Sequence, residues 1–199
     1  MLVFAFDTAT DVATAALVKG DEVLAERRSR PVRILEDADG LLGETGFERS
    51  AIEGLVVGTG PGSYTGLRMG LVTARALAFA LEVPVAGVST LAALAHGAPD
   101  AKPLLDGRRG EVFALEGATP VVLAAESLRI RPGATYVGDG AVLYRAKLEE
   151  GGANVPADDD PVHVPWARHH AALAESFGAP ELAEPIYLRL PDAERALTR

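Results

Sequence analysis

Two stretches of the chain carry groups able to do chemistry. Asp7-Thr8-Ala9-Thr10 sets a carboxylate beside two hydroxyls. Carboxylate oxygen suits Mg²⁺ and hydroxyls reach phosphate, so such a turn can face a metal-bound nucleotide. The plainer reading is a turn whose Asp and Thr side chains cap backbone groups. Gly60-Pro61-Gly62-Ser63 opens the second stretch, which runs GTGPGSYTGLRMG from Gly58 to Gly70. It fails the Walker A pattern, which needs a lysine and differently spaced glycines. It fails the dinucleotide fingerprint too, because the third glycine position falls on Ser63 or Thr65. What remains is a nest of backbone N–H groups ahead of a helix, able to receive an anion, or a strand-to-helix turn in which glycine permits positive φ. Asp7, Thr8, Thr10, Gly60, Gly62 and Ser63 are therefore the candidate nucleotide-pocket residues.

The histidines give a negative result. His96, His163, His169 and His170 include no i, i+4 pair and no H-E-x-x-H. Adjacent His169 and His170 point to different helix faces. All four read as structural or surface residues. No serine sits in G-x-S-x-G, so a hydrolase nucleophile elbow is missing.

The elements that position these residues are legible from periodicity. Met1 to Asp7 is almost wholly apolar, as in a strand buried on both faces. Val12–Lys19 and Glu22–Arg28 are strand-like around the Gly20-Asp21 turn. Ile34, Leu35, Ala38, Leu41 and Leu42 have helical spacing, ending at Gly43 or Gly46. Ile52–Thr59 is a strand, Thr65–Leu81 a helix and Val83–Val88 a strand, after which Ser89 caps a short helix through Ala95. The order β-β-β-α-β-α-β is the layout of ribonuclease-H-like and actin-like halves.

Gly, Pro and Asp cluster over Gly97–Pro103 and mark a lobe boundary. Beyond it, Pro103–Asp106 reads as a strand, Glu111–Glu116 with Thr119–Ala124 as a hairpin, and Thr135–Gly138 as a short strand. Val142–Glu149 and Trp166–Phe177 read as helices, Ala153–Pro165 as loop and Pro180–Pro191 as an extended tail. The expected division is an N-terminal lobe over 1–97 and a smaller C-terminal lobe over 98–199, its last helix and tail packing back on the first.

One helix face is unusual. Gly66, Gly70, Ala74 and Ala78 recur every fourth residue. Glycine inside a helix costs about 1 kcal/mol against alanine, so a close approach by another element is implied. Intramolecular packing is the default reading and an inter-subunit helix face the sharper one.

The 199 residues are 48% hydrophobic and 24% charged, enough for one large domain or two lobes. Cysteine is absent, which removes disulfides and thiolate chemistry and fits the cytoplasm. The N-terminus lacks the basic region of a signal peptide, and Glu82 and Pro84 interrupt the longest apolar run. The net charge of −9 with no long basic run makes any nucleic-acid role indirect.

Taken together, several segments resemble the TsaB (YeaZ) family. They are Phe4-Ala5-Phe6-Asp7-Thr8-Ala9-Thr10, Gly60-Pro61-Gly62-Ser63-Tyr64-Thr65-Gly66-Leu67-Arg68, the helix stretch Thr73 to Ala80, and Gly87-Val88-Ser89-Thr90-Leu91. Arg108-Arg109-Gly110-Glu111-Val112-Phe113 and the tail Glu184 to Arg189 also fit. The resemblance spans nearly the whole chain, and its GPGSYTGLR block is the most specific part.

The resemblance implies an actin-like ATPase (ASKHA) fold of two lobes with mixed sheets. It implies a role in forming threonylcarbamoyladenosine at position 37 of tRNA, as the non-catalytic partner of a TsaD-type paralogue on which a TsaE-type ATPase docks. Contact with tRNA would be indirect, through the complex. TsaD-type members carry a metal-binding histidine pair at places that fall on about Thr90 and Leu94, so no metal site and no catalytic residue is expected. No cofactor is firmly implied beyond weak ATP or ADP binding at the complex interface, and the pocket residues become vestigial. The departure from the family is Pro31-Val32-Arg33-Ile34-Leu35-Glu36, where many members have a histidine. The heterodimer of the family implies an interface of Ile34, Leu35, Ala38 and Leu41 on one helix and Gly66, Met69, Gly70, Thr73, Ala74 and Leu77 on the next. The same faces would pair as a homodimer in the isolated protein. An autonomous ATP-dependent phosphotransferase, a metallopeptidase and a plain homodimeric module are the alternatives.

Overall fold

The structure, a computed structural model, describes residues 1–188. Arg189, the last residue of the tail match, and the tail's end at Pro191 lie outside the described residues.

β1 (Leu2–Asp7), β2 (Ala13–Lys19) and β3 (Glu22–Ser29) form an antiparallel meander. After α1 (Ile34–Thr45), β4 (Gly54–Gly58) pairs parallel to β1. After α2 (Tyr64–Leu81), β5 (Val85–Val88) pairs parallel to β4. The sheet order is β3-β2-β1-β4-β5, followed by α3 (Thr90–Gly97). The apolar run of β1 is explained by cover on both sides. Leu2, Phe4 and Phe6 pack with α1 and α2 on one face. Val3 and Ala5 meet Ala167 on the other.

A second sheet contains β6 (Ala101–Arg108), β7 (Glu111–Glu116), β8 (Thr119–Ala124) and β9 (Thr135–Val137) in the order β8-β7-β6-β9. β9 runs parallel to β6 and the other pairs are antiparallel. Both sheets are thus mixed, in the two-sheet α/β architecture that the resemblance implies. The helix expected over Val142–Glu149 is two pieces, α4 (Asp139–Leu143) and α5 (Arg145–Glu150). Tyr144 separates them at φ −105°, ψ 22°.

The last helix, α6 (Ala167–Leu173), is shorter than the expected Trp166–Phe177. The chain leaves it so that Gly178 can exchange two backbone hydrogen bonds with Val85, of 2.9 and 3.0 Å. The sequence of that segment is helix-compatible, and the exposed edge of β5 takes it instead. α6 lies on the first sheet, where Ala5, Ala16, Ala86 and Ala167 are all buried and let helix and sheet approach closely. Thr14 donates to the Pro165 carbonyl at 2.9 Å and fixes the entry to this helix.

Ser63 caps α2, its hydroxyl accepting from the Gly66 amide at 3.3 Å. The small-residue face of α2 turns inward: Gly66, Gly70, Ala74 and Ala78 are buried against the chain's own sheet. A Cβ at Gly66 would overlap the Thr8 carbonyl oxygen, and one at Gly70 the Thr8 hydroxyl. The close approach that the glycines signal is therefore with the end of β1. This corrects the interface expected from the sequence. Gly66, Gly70 and Ala74 face the core of this chain, as do Ile34, Ala38 and Leu41 on α1. Leu35 is exposed, and Met69, Thr73 and Leu77 are half-buried along the flank of α2. The reason is the sheet: each helix has one apolar face, and β1, β2 and β4 claim it first.

Candidate functional site

Asp7 stands at the C-terminal end of β1, where the first sheet, α3, α6 and the glycine loop converge. It is 1% exposed. Its Oδ1 accepts from the Ala9 amide at 2.5 Å. Its Oδ2 accepts from the Thr90 hydroxyl at 2.6 Å and lies 2.7 Å from His170 Nε2. Thr90 in turn accepts from the Gly60 amide at 3.1 Å. The other ring nitrogen of His170 lies 3.2 Å from the Trp166 carbonyl, which can only accept. Both ring nitrogens of His170 therefore face acceptors, the arrangement of a buried carboxylate–histidine pair. Burial pushes the Asp7 carboxyl up. The His170 charge and the hydrogen bonds from His170, Thr90 and Ala9 outweigh this and hold it below the usual carboxylate range.

The glycine loop is tied down by the chain itself. Gly60 adopts φ 89°, a conformation that side chains rarely reach. The Thr90 amide donates to the Gly60 carbonyl at 2.8 Å, and the Ser63 amide to the Ala9 carbonyl at 2.7 Å. A Cβ at Gly62 would overlap that same Ala9 carbonyl. Thr8, 1% exposed, donates its hydroxyl to the Gly66 carbonyl at 2.7 Å. Thr10 donates to the Val12 carbonyl within its own turn at 2.7 Å. The turn after β1 and the glycine loop touch directly. Asp7, Thr8, Thr10, Gly60, Gly62 and Ser63 are brought together as the sequence suggests. Their polar groups are bonded largely to one another, while Thr10, Gly62 and Ser63 remain partly exposed.

Thr90 and Leu94, at about the places where the resemblance puts the histidine pair of TsaD-type members, are both buried. Thr90 serves Asp7 and Gly60, and Leu94 belongs to the apolar cluster with Leu91, Leu105, Phe113 and Val137. Gly138 and Asp139, at the start of α4, are held by the chain's own groups as well. The Gly138 amide donates to His163 Nδ1 at 3.0 Å, and Asp139 accepts from the Asp106 amide at 2.8 Å. Burial pushes the Asp139 carboxyl up, and the charge of Asp106 adds to this against the hydrogen bonds from the Asp106 and Gly140 amides. Arg108 reaches across from the second sheet and grips both Asp11 oxygens at 2.7 Å, beside the turn after β1.

Sequence reasoning missed His170. A histidine beside another histidine on a short helix gives no local signal that it reaches a carboxylate 163 residues earlier. His169 turns the other way, toward His96. Burial, with the charges of Arg168, His96 and His170, pushes its imidazole down to about 4.

On the outer side of α2, Val72 and Phe79 are 64% and 86% exposed, in line with exposed Thr65, Arg68 and Ala76. Val32 and Leu35, at the start of α1, are 76% and 57% exposed, and the short 3-10 turn that carries Val32 packs beside α2. Among the described residues no helix is long and apolar enough to cross a membrane.

Known proteins share this architecture and sequence. The family model described as TsaD, tRNA N6-adenosine threonylcarbamoyltransferase, matches residues 25–161. The tRNA threonylcarbamoyladenosine biosynthesis protein TsaB of Bacillus subtilis is 30% identical, over 98% of this chain and 96% of that protein. An uncharacterized protein of Mycobacterium tuberculosis is 31% identical, over 96% of this chain and 93% of its own length. The solved structure of YeaZ from Pseudomonas aeruginosa superposes with a TM-score of 0.78 at 26% identity, over 94% of this chain and 99% of that one. With the fold, the loop chemistry and these relatives in agreement, the chain belongs to the TsaB (YeaZ) family.

Proposed function

We propose that this chain is a non-catalytic subunit of a complex that forms threonylcarbamoyladenosine in tRNA, and that it acts by binding and activating a TsaD-type threonylcarbamoyltransferase. The relatives named for that biosynthesis supply the reaction. The observation that carries the docking role is the exposed apolar stripe of Val72 and Phe79 on α2, together with exposed Val32 and Leu35 at the start of α1. Large apolar side chains left in water in such a row mark a protein contact. In the complex a TsaE-type ATPase docks on the pair, and tRNA reaches this acidic chain only through its partner. Left alone, the same stripe pairs with a second copy. The site is cytoplasmic.

The non-catalytic reading is supported by the use of Asp7, Thr8, Thr90 and the glycine loop in the chain's own hydrogen bonds. Weak ATP or ADP binding belongs at the interface of the pair. Reconstitution is the direct test: the chain is mixed with TsaD-type and TsaE-type partners, a source of threonylcarbamoyl-adenylate and tRNA. Unchanged modification when this chain is left out sinks the reading. Leu35→Asp and Val72→Asp are expected to weaken the paralogue complex by about tenfold or more, because a charge is then desolvated in the contact. Circular dichroism should be unchanged, since both residues are solvent-facing. Affinity retained in both variants would place the partner elsewhere.

A further inference from the structure

His96 sits in the last turn of α3 and His169 in α6, 73 residues apart in sequence. Their Nδ1 atoms lie 3.1 Å from each other, with the rings tilted by 53°. The approach depends on the neighbouring glycine: a Cβ at Gly97 would fall 2.9 Å from His169 Nε2. His96 is exposed and His169 half-buried, so the pair is open to solvent on one side. The described hydrogen bonds give neither Nδ1 a carbonyl or carboxylate partner; each faces the other's nitrogen.

Two imidazole nitrogens so placed are a bidentate donor set. Metal–imidazole bonds are about 2.0–2.1 Å long, and an ion at that distance from both Nδ1 atoms would subtend an angle of about 98°, within the range of four-coordinate sites. We propose that His96 and His169 form a two-histidine chelating site for a divalent late transition metal ion, of the Ni²⁺, Cu²⁺ or Zn²⁺ class that imidazole favours. Among the described residues no group of three or more His, Cys, Asp and Glu could hold a metal ion, so water fills the remaining positions and the ion exchanges freely. This separates the site from the closed four-ligand sites that fold small domains. The ion would brace α3 against α6. Those are the two helices that meet at Asp7 through Thr90 and His170. The site is independent of the tRNA-modification reading and of the Thr90 and Leu94 positions.

The test uses the untagged full chain, Ni²⁺ as the probe, and titration calorimetry at neutral pH. Saturable binding of a single ion per chain with micromolar affinity is expected, together with a rise in melting temperature that a chelator reverses. His96→Ala is the decisive variant, because His96 is exposed and its loss leaves the core intact. It should bind Ni²⁺ at least roughly tenfold more weakly and lose the melting-temperature rise. His169→Ala should do the same. Mg²⁺, which demands oxygen ligands, should give neither effect. No saturable binding to the wild-type chain overturns the proposal, and so does equal affinity in His96→Ala.

Discussion

His170→Ala is expected to destabilise the fold by about 3–5 kcal/mol, the cost of leaving one member of a buried ion pair alone. Asp7 and His170 are 1% and 0% exposed, so water cannot replace the lost partner. The effect is large against the roughly 5–15 kcal/mol that keeps a typical domain folded. Asp7→Asn should cost a similar amount: its oxygen can still accept from the Ala9 amide, but its NH2 then faces the His170 donor, which is left without a carboxylate. Urea unfolding followed by circular dichroism measures both. A loss under about 1 kcal/mol in His170→Ala would mean that the pair is not ionised in the folded chain.

The pair also sets a pH dependence. The folded Asp7 carboxyl lies below its ordinary value. Its stabilising contribution is therefore fully present above the ordinary carboxylate range and is lost as pH falls through the lowered folded value. Acid unfolding of the wild-type chain should steepen there. In His170→Ala the charge that lowers Asp7 is gone and its burial remains, so this acid-side loss should shrink or disappear. Identical acid limbs in the two proteins would exclude Asp7 as the titrating group.

Gly66→Ala is expected to destabilise the chain, although alanine gains about 1 kcal/mol of helix propensity over glycine. Its Cβ would overlap the Thr8 carbonyl, a backbone atom that cannot swing aside. α2 must then shift off β1, and overpacking of this kind costs about 1–3 kcal/mol or more. The hydrogen bond from the Thr8 hydroxyl to the Gly66 carbonyl is strained with it. Gly43→Ala is the matched control: it lies on the exposed face of α1 with nothing within 4 Å of the added methyl. It should stabilise by about 0.5–1 kcal/mol. Equal effects at the two positions would refute the close contact. For the same reason Gly70→Leu should lower stability first, so weaker partner binding in that variant would not by itself identify an interface.

The order of elements is legible in the sequence because periodicity is local. Five of the six residues of β1 are apolar, Gly20 turns the hairpin, and Ser63 and Ser89 cap their helices. The ends are less legible. Helical pattern continues past Leu173, but the chain turns out to pair Gly178 with Val85, a choice made by an open strand edge far away in sequence. The small-residue face of α2 was readable as a close contact and not as a contact with a particular surface. Glycine spacing says that something comes near, while the sheet beneath α2 decides what.

The candidate site divides in the same way. The sequence by itself determined the family pattern and the strand–turn–helix frame of Asp7 and the glycine loop. Only the tertiary structure decided that Thr90 binds Asp7, that His170 completes the pair, and that His169 turns outward to meet His96. Spacing along a chain reports which residues share one helix or one strand. Which side chains meet across elements depends on how closely α6 settles on the first sheet, and that is set by the summed packing of Ala5, Ala16, Ala86 and Ala167, which no local window contains.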